Sequence, residues 1–310
     1  MPSTSSRSAG AARRPMGAVA GPGARRLPTP GGRSYWALSR APRYSLLFAL
    51  PLLVLYEGLA LALGAVDGVA VRNGADVWLK TPFLLLLGPH GPLAFGALVV
   101  LGGLALVVRD WRRQRAPLRR AVFAGMLAES AAMAVVCGLL IGVATARLLD
   151  ALPLDALPFG IAAPAAVAPD APPPLAVAAQ DLAAEAAADA GAERGEGLEA
   201  LPVREQLMIA LGAGLYEELL FRVVLVSGLV LAARRLLGWG AGAASLFATV
   251  GGALLFALAH HVGPYGEPLA ADAFTFRTLA GLFFSGLYVL RGFGITAWTH
   301  ALYDVLVLAA

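Results

Sequence analysis

Three apolar stretches of this chain present glutamate or histidine, and these are the residues whose types and spacing could do chemistry. The first stretch reads Leu215-Tyr216-Glu217-Glu218-Leu219-Leu220-Phe221-Arg222. On a helix adjacent residues point ~100° apart, whereas residues four apart share a face. Arg222 can therefore neutralise Glu218, which leaves Glu217 to a different neighbour. Two carboxylates so close resist simultaneous ionisation, a condition that suits a general base working near neutrality. A purely structural Glu218–Arg222 bridge is the plain alternative. The second stretch ends Phe256-Ala257-Leu258-Ala259-His260-His261, and the third reads Trp298-Thr299-His300-Ala301-Leu302-Tyr303-Asp304. His300 and Asp304, four apart, stack on one helical face. A single histidine inside an apolar helix is equally well explained as an interhelical hydrogen-bond donor. Three helices that each offer Glu or His point instead to one shared site. Such residues activate water directly or hold a metal that does so. Spacing leaves both options open.

Other polar positions carry weaker signals. His261 is turned ~100° from His260 at the helix end and is expected to meet lipid headgroups. His90 lies in Gly88-Pro89-His90-Gly91-Pro92 and reads as interfacial. Glu57 and Glu129 could line the same cavity, pair with arginine, or sit near an interface. The run Arg72-Asn73-Gly74-Ala75-Asp76 reads as a structural turn in an external loop. The single cysteine, Cys137, excludes an intramolecular disulfide and a multi-cysteine metal site.

The elements that must position these residues are membrane helices. Hydrophobic residues make up 58% of the chain and charged residues 14%, against ~45–50% and ~25% in soluble domains. Residues 81–108 and 236–259 contain no Asp, Glu, Lys or Arg, and each run exceeds the ~20 residues that cross a bilayer core as a helix. The expected fold is all-α, a polytopic transmembrane helix bundle. About seven spans are predicted, at 44–66, 80–108, 120–148, 203–235, 240–262, 274–290 and 293–309. The second run is broken at Gly88–Pro92, so residues 76–87 are expected along the interface with the span starting near Pro92.

Four segments follow. Residues 1–43 form a basic tail with the composition of disorder, and 44–149 a three-helix transmembrane part. Residues 150–202 are an Ala- and Pro-rich disordered acidic external loop, and 203–310 a four-helix part that holds the three motifs. Arginines before the first span, at 109–120, at Arg234 and Arg235, and at Arg291 all fall on one side of a seven-span topology. They mark the cytoplasm, with the amino terminus inside and the carboxyl terminus outside a bacterial inner membrane. Because the basic residues flank apolar runs, the high pI near 9.6 does not imply nucleic acid. The expected partners are the lipid bilayer and a membrane-associated protein or peptide.

The three motifs resemble those of the CPBP family, the CAAX-processing and bacteriocin-processing intramembrane proteases also called Abi. Its pattern is Glu-Glu-x-x-x-Arg, Phe-x-x-x-His, then His-x-x-x-Asn or Asp. It is met here by Glu217, Glu218 and Arg222, by Phe256 and His260, and by His300 and Asp304. The resemblance covers roughly residues 203 to 308 and implies an intramembrane endopeptidase. By it, Glu217 is the base, Glu218 its partner bridged to Arg222, and His260 the residue that orients water, while His300 and Asp304 serve the oxyanion. An ionised Asp304 cannot donate to an oxyanion, so it is protonated, orients His300, or binds a metal. The family has been described as zinc-type and as glutamate-type. The cofactor is therefore none or zinc, the latter held by His260 and His300 with Glu217 or Asp304. The acidic loop and the outward carboxyl terminus favour the myxosortase branch, held to process sorting tails of surface proteins. The rival readings are a non-catalytic membrane immunity or scaffold protein and a proton-coupled transporter. The transporter predicts inverted repeats, which the two halves do not display.

Overall fold

The structure is a computed structural model of the whole chain. It describes residues 34–67, 72–114, 117–151, 201–262, 266 and 269–309. The basic tail up to residue 33 and the acidic segment over 152–200 lie outside the described residues.

The described residues form helices and no strand. Helix α1 is Tyr35–Ser39, α2 Pro42–Asp67, α3 Gly74–Leu87, α4 Gly91–Gln114 and α5 Arg120–Ala151. One continuous helix, α6, follows in three pieces, Val203–Gly212, Ala213–Val226 and Ser227–Leu236. Then come α7, Ala241–Ala259, α8, Ala271–Arg291, and α9, Phe293–Ala309. The chain is an all-α polytopic bundle. Five segments are long and apolar enough to cross a membrane: Pro42–Gly64, Gly74–Arg113, Arg120–Ala151, Ala241–Ala259 and Ala271–Arg291. Phe293–Ala309 is apolar but shorter.

The burial pattern is that of a bundle in lipid. Large apolar side chains face outward, Leu86 at 82% exposure and Leu93 at 74%. Arg43, Glu218, Arg222 and His300 are buried. A water-soluble fold shows the reverse, because charges are almost never fully buried unless paired.

Helix α9 packs against α2, α5, α6 and α8, and α8 packs against α5 and α7. Gly214 shows how closely α6 meets α9. A Cβ there would lie 2.5 Å from the carbonyl oxygen of Ala297 and 2.5 Å from the Cβ of Ala301. Small residues at such a crossing let helix backbones approach closely, and Glu218, one turn on from Gly214, is thereby brought to His300.

The second expected span resolves into two helices. Gly88, at φ 59°, ends α3, and the chain turns through Gly88–His90 so that α3 packs back on α4. Phe83 and Phe95 meet across this turn with ring centroids 5.4 Å apart. The helix α3 begins at Gly74, earlier than the expected span, because Asn73 caps it by accepting from the Ala75 N–H at 2.9 Å.

Arg40, Arg43, Arg119 and Arg291, from three of the four arginine groups, lie near one another. Arg43 pairs with Asp110 at 3.4 Å, joining the start of α2 to the end of α4. The backbone N–H of Arg119 donates to the Tyr44 hydroxyl, and Arg40 donates to the Val289 carbonyl near Arg291.

Candidate active site

The middle piece of α6, Ala213–Val226, is wound as a π-helix rather than the ordinary helix expected. Such winding is rare and concentrates at functional sites. It carries Glu217, Glu218 and Arg222. The pair expected at four-residue spacing forms, with Arg222 Nη1 3.1 Å from Glu218 Oε1. Arg222 also donates to the Gly281 carbonyl at 3.5 Å and lies over the Phe256 ring at 4.5 Å.

Glu218 has a second neighbour from α9. The Nδ1 of His300 lies 2.7 Å from Glu218 Oε1, and since a carboxylate only accepts, Nδ1–H donates. The other ring nitrogen, Nε2, faces Asp304 Oδ2 at 3.7 Å. The His300 ring stacks on Phe284, centroids 4.3 Å apart and planes 19° from parallel. Hydrogen bond and stacking together fix the imidazole.

Glu217 points another way. Its Oε2 lies 3.7 Å from Nε2 of His260, where α7 ends. The Nδ1 of His260 is 2.8 Å from the Phe256 carbonyl. A carbonyl only accepts, so Nδ1 carries the proton and Nε2 turns its lone pair toward Glu217. On its far side Glu217 Oε1 accepts from the side-chain amide of Asn73 at 2.9 Å.

Exposure sorts these groups into two layers. Glu218, Arg222 and His300 are closed off, with side chains 0%, 1% and 6% exposed. Glu217, His260 and Asp304 are open at 13%, 20% and 27%. These three side chains are half-buried, and Glu217 Oε2 itself is buried without a hydrogen-bond partner, with the closed layer lying behind it.

All six residues expected from the sequence thus lie in one cluster. Arg277 of α8 joins them electrostatically, acting on His260 and Asp304. The glutamates whose role spacing left open sit elsewhere. Glu129 is held by Arg291 and Tyr35, and Glu57 by Lys80 at 2.9 Å, Arg72 at 3.3 Å and the Tyr216 hydroxyl at 2.6 Å. Burial opposes the charge of Arg72, but its bonds to Asp76 and the nearby Glu57 outweigh this and raise its pKa. His261, expected at lipid headgroups, faces the Phe274 ring at 6.1 Å. The run Arg72–Asp76, read as a plain turn, reaches the site through Asn73. What could have marked it is its polarity beside so many apolar residues.

Among the described residues no group of three or more His, Cys, Asp or Glu is arranged to hold a metal ion. His300 commits Nδ1 to Glu218 and turns Nε2 to Asp304, and His260 commits Nδ1 to the backbone. Each ring therefore keeps Nε2 as its one remaining donor atom, 3.7 Å from Glu217 in His260 and 3.7 Å from Asp304 in His300.

Residues 200–306 match the family model described as type II CAAX prenyl endopeptidase Rce1-like. Over these residues the chain is similar to the CPBP family of CAAX proteases. No curated protein and no solved structure matches the chain. The matched segment holds Glu217, Glu218, Arg222, His260, His300 and Asp304, and does not include α2, α3 and α5, which pack against it.

Proposed function

We propose that the chain hydrolyses a peptide bond of a membrane-associated protein or peptide, using water activated by Glu217 and His260 without a metal. The facing of Glu217 Oε2 and His260 Nε2, 3.7 Å apart in the open layer, carries this reading. Both atoms accept hydrogen bonds. A water against them donates one O–H to each and turns its lone pairs outward, toward a scissile carbonyl.

The chemistry then runs in two steps. As the water oxygen bonds to the carbonyl carbon, its proton passes to Glu217 and the carbonyl oxygen becomes an oxyanion. The tetrahedral intermediate collapses, the C–N bond breaks, and Glu217 returns the proton to the leaving amine. Products are a carboxylic acid and an amine, and the acid's proton then passes to the amine to give carboxylate and ammonium. With Nδ1–H committed to Glu218, the His300 ring serves the oxyanion as an imidazolium, whose second N–H, on Nε2, is the donor. Asp304 orients that ring. Arg222 neutralises Glu218, so the rear layer adds no net repulsion against Glu217 in a low-dielectric setting.

Reconstitution in liposomes with a panel of membrane-anchored fluorogenic peptides tests this. Wild type is expected to cleave at least one and Glu217→Ala none. Equal turnover by the two proteins would contradict the reading.

A further inference from the structure

The CPBP match begins at residue 200, yet one hydrogen bond to Glu217 comes from far outside it. Asn73, at the start of α3, donates from its side-chain amide to Glu217 Oε1 at 2.9 Å. Each polar atom of Asn73 is committed. Its backbone N–H donates to the Tyr56 hydroxyl at 3.2 Å, its carbonyl accepts from the Val77 N–H, and its Oδ1 accepts from the Ala75 N–H at 2.9 Å. The last bond fixes the amide orientation, because only the oxygen can accept from Ala75 and the NH2 must then face Glu217.

The surroundings hold this residue firmly. Asn73 is buried at 4% exposure, and the Tyr56 hydroxyl that receives its N–H donates in turn to Asp76 at 2.9 Å. Asp76 is locked by Lys80 at 2.6 Å and Arg72 at 2.9 Å. A second observation comes from α6 itself. A Cβ on Gly212 would lie 2.8 Å from Asn73 Cβ and 2.5 Å from the Tyr56 ring. Glycine five residues before Glu217 is what lets Asn73 come this near. Glu217, meanwhile, is the open-layer carboxylate whose other oxygen faces His260.

We infer that Asn73 is the positioning residue for Glu217, contributed to the CPBP site by the amino-terminal helices. It rests on the catalytic reading of Glu217 above. Held at Oε1, the carboxylate cannot swing toward Arg222 or out of the site, so Oε2 stays against His260 and the water they share. A carboxylate that must hold one orientation to ~10–20° needs such a supporting bond. The donor also competes with no substrate group, because it lies on the side of Glu217 away from His260.

Two substitutions separate positioning from helix capping. Ser and Asp cap a helix about as well as Asn, so Asn73→Ser and Asn73→Asp both keep α3 started. Asn73→Ser removes the donor to Glu217. Asn73→Asp replaces it with a carboxylate against a carboxylate, which is repulsive. The assay uses full-length protein in liposomes and the membrane-anchored peptide that wild type cleaves fastest, with thermal unfolding followed in parallel. Asn73→Ser is expected to lower kcat roughly 10- to 100-fold, the worth of one hydrogen bond to a charged group. Asn73→Asp is expected to fall further, with KM unchanged in both. Gly212→Ala is expected to lower kcat in the same way by pushing Asn73 off. Wild-type kcat in Asn73→Ser and Asn73→Asp, beside an inactive Glu217→Ala, would overturn the role of Asn73 alone. Equal losses in Asn73→Ser and Asn73→Asp that track a lowered melting temperature would also overturn it. An active Glu217→Ala would remove the catalytic reading and this inference with it.

Discussion

His300 and Glu218, 82 positions apart in the chain, meet at 2.7 Å in a buried layer behind the open carboxylate of Glu217. Arg222 completes the group at 3.1 Å from the same Glu218 oxygen. One carboxylate thus serves a guanidinium and an imidazole, and the half-buried pair of Glu217 and His260 is left outside that group.

Breaking that group from one side should be costly. Glu218→Ala leaves the Arg222 charge buried without its carboxylate, and destabilisation of about 3–5 kcal/mol is expected. The double variant Glu218→Gln, Arg222→Met removes both charges and should recover much of the stability while remaining inactive. Thermal unfolding in detergent, set beside peptide cleavage, checks both statements.

The crossing at Gly214 predicts a steric effect. Any Cβ there meets the Ala297 carbonyl and Ala301, so Gly214→Val must push α6 away from α9. Overpacking of this kind costs about 1–3 kcal/mol, and the Glu218–His300 bond should lengthen with it. Loss of cleavage with a lowered melting temperature is expected. A variant with full stability and activity would mean that the helices are not in contact there.

Asp304 distinguishes metal-free from metal-dependent chemistry. With Asp304 acting only on His300, Asp304→Asn keeps the shape and should retain at least about a tenth of wild-type activity. Were Asp304 a zinc ligand, the same change would strip the metal and the activity together. Bound zinc measured in purified wild type and Asp304→Asn, beside cleavage before and after chelation, decides this. Stoichiometric zinc in active wild type, lost with activity in the variant, would contradict the proposed mechanism.

Orientation is tested by labelling. The arginines gathered by Arg43–Asp110 and Arg40–Val289 mark the cytoplasmic end in the proposed topology. Glu185→Cys should then react with an impermeant thiol reagent from outside intact cells, against little background because Cys137 is buried. Labelling only after the inner face is opened would reverse the orientation.

Much of the site was legible because an ionisable residue in an apolar helix is conspicuous. Glu217, His260 and His300 each stand in a run of Leu, Ala, Val or Phe, and the helix period alone pairs Glu218 with Arg222. The π winding of Ala213–Val226 was not legible, since nothing in Gly-Leu-Tyr-Glu-Glu differs from an ordinary helical pattern. Asn73 was hidden for another reason. Asn-Gly after Arg reads as a turn and a helix cap, which it is, and its second bond depends on a helix more than a hundred residues away. Phe284, which seats His300, is one of 13 phenylalanines, and only the packing of α8 on α9 singles it out. The return of α3 onto α4 was half legible. Gly88-Pro89 announced a break, but the direction of the chain after it came from packing between Phe83 and Phe95.

The central claim is that Glu217 and His260 act as a unit on one water. Single-turnover cleavage rates of wild type, Glu217→Gln, His260→Ala and the double variant test it most directly. Each single change should cost roughly 10²- to 10⁴-fold. Residues that act together are non-additive, so the double variant should be no slower than the slower single one. Losses that multiply in the double variant would show two independent roles and contradict water activation by this pair.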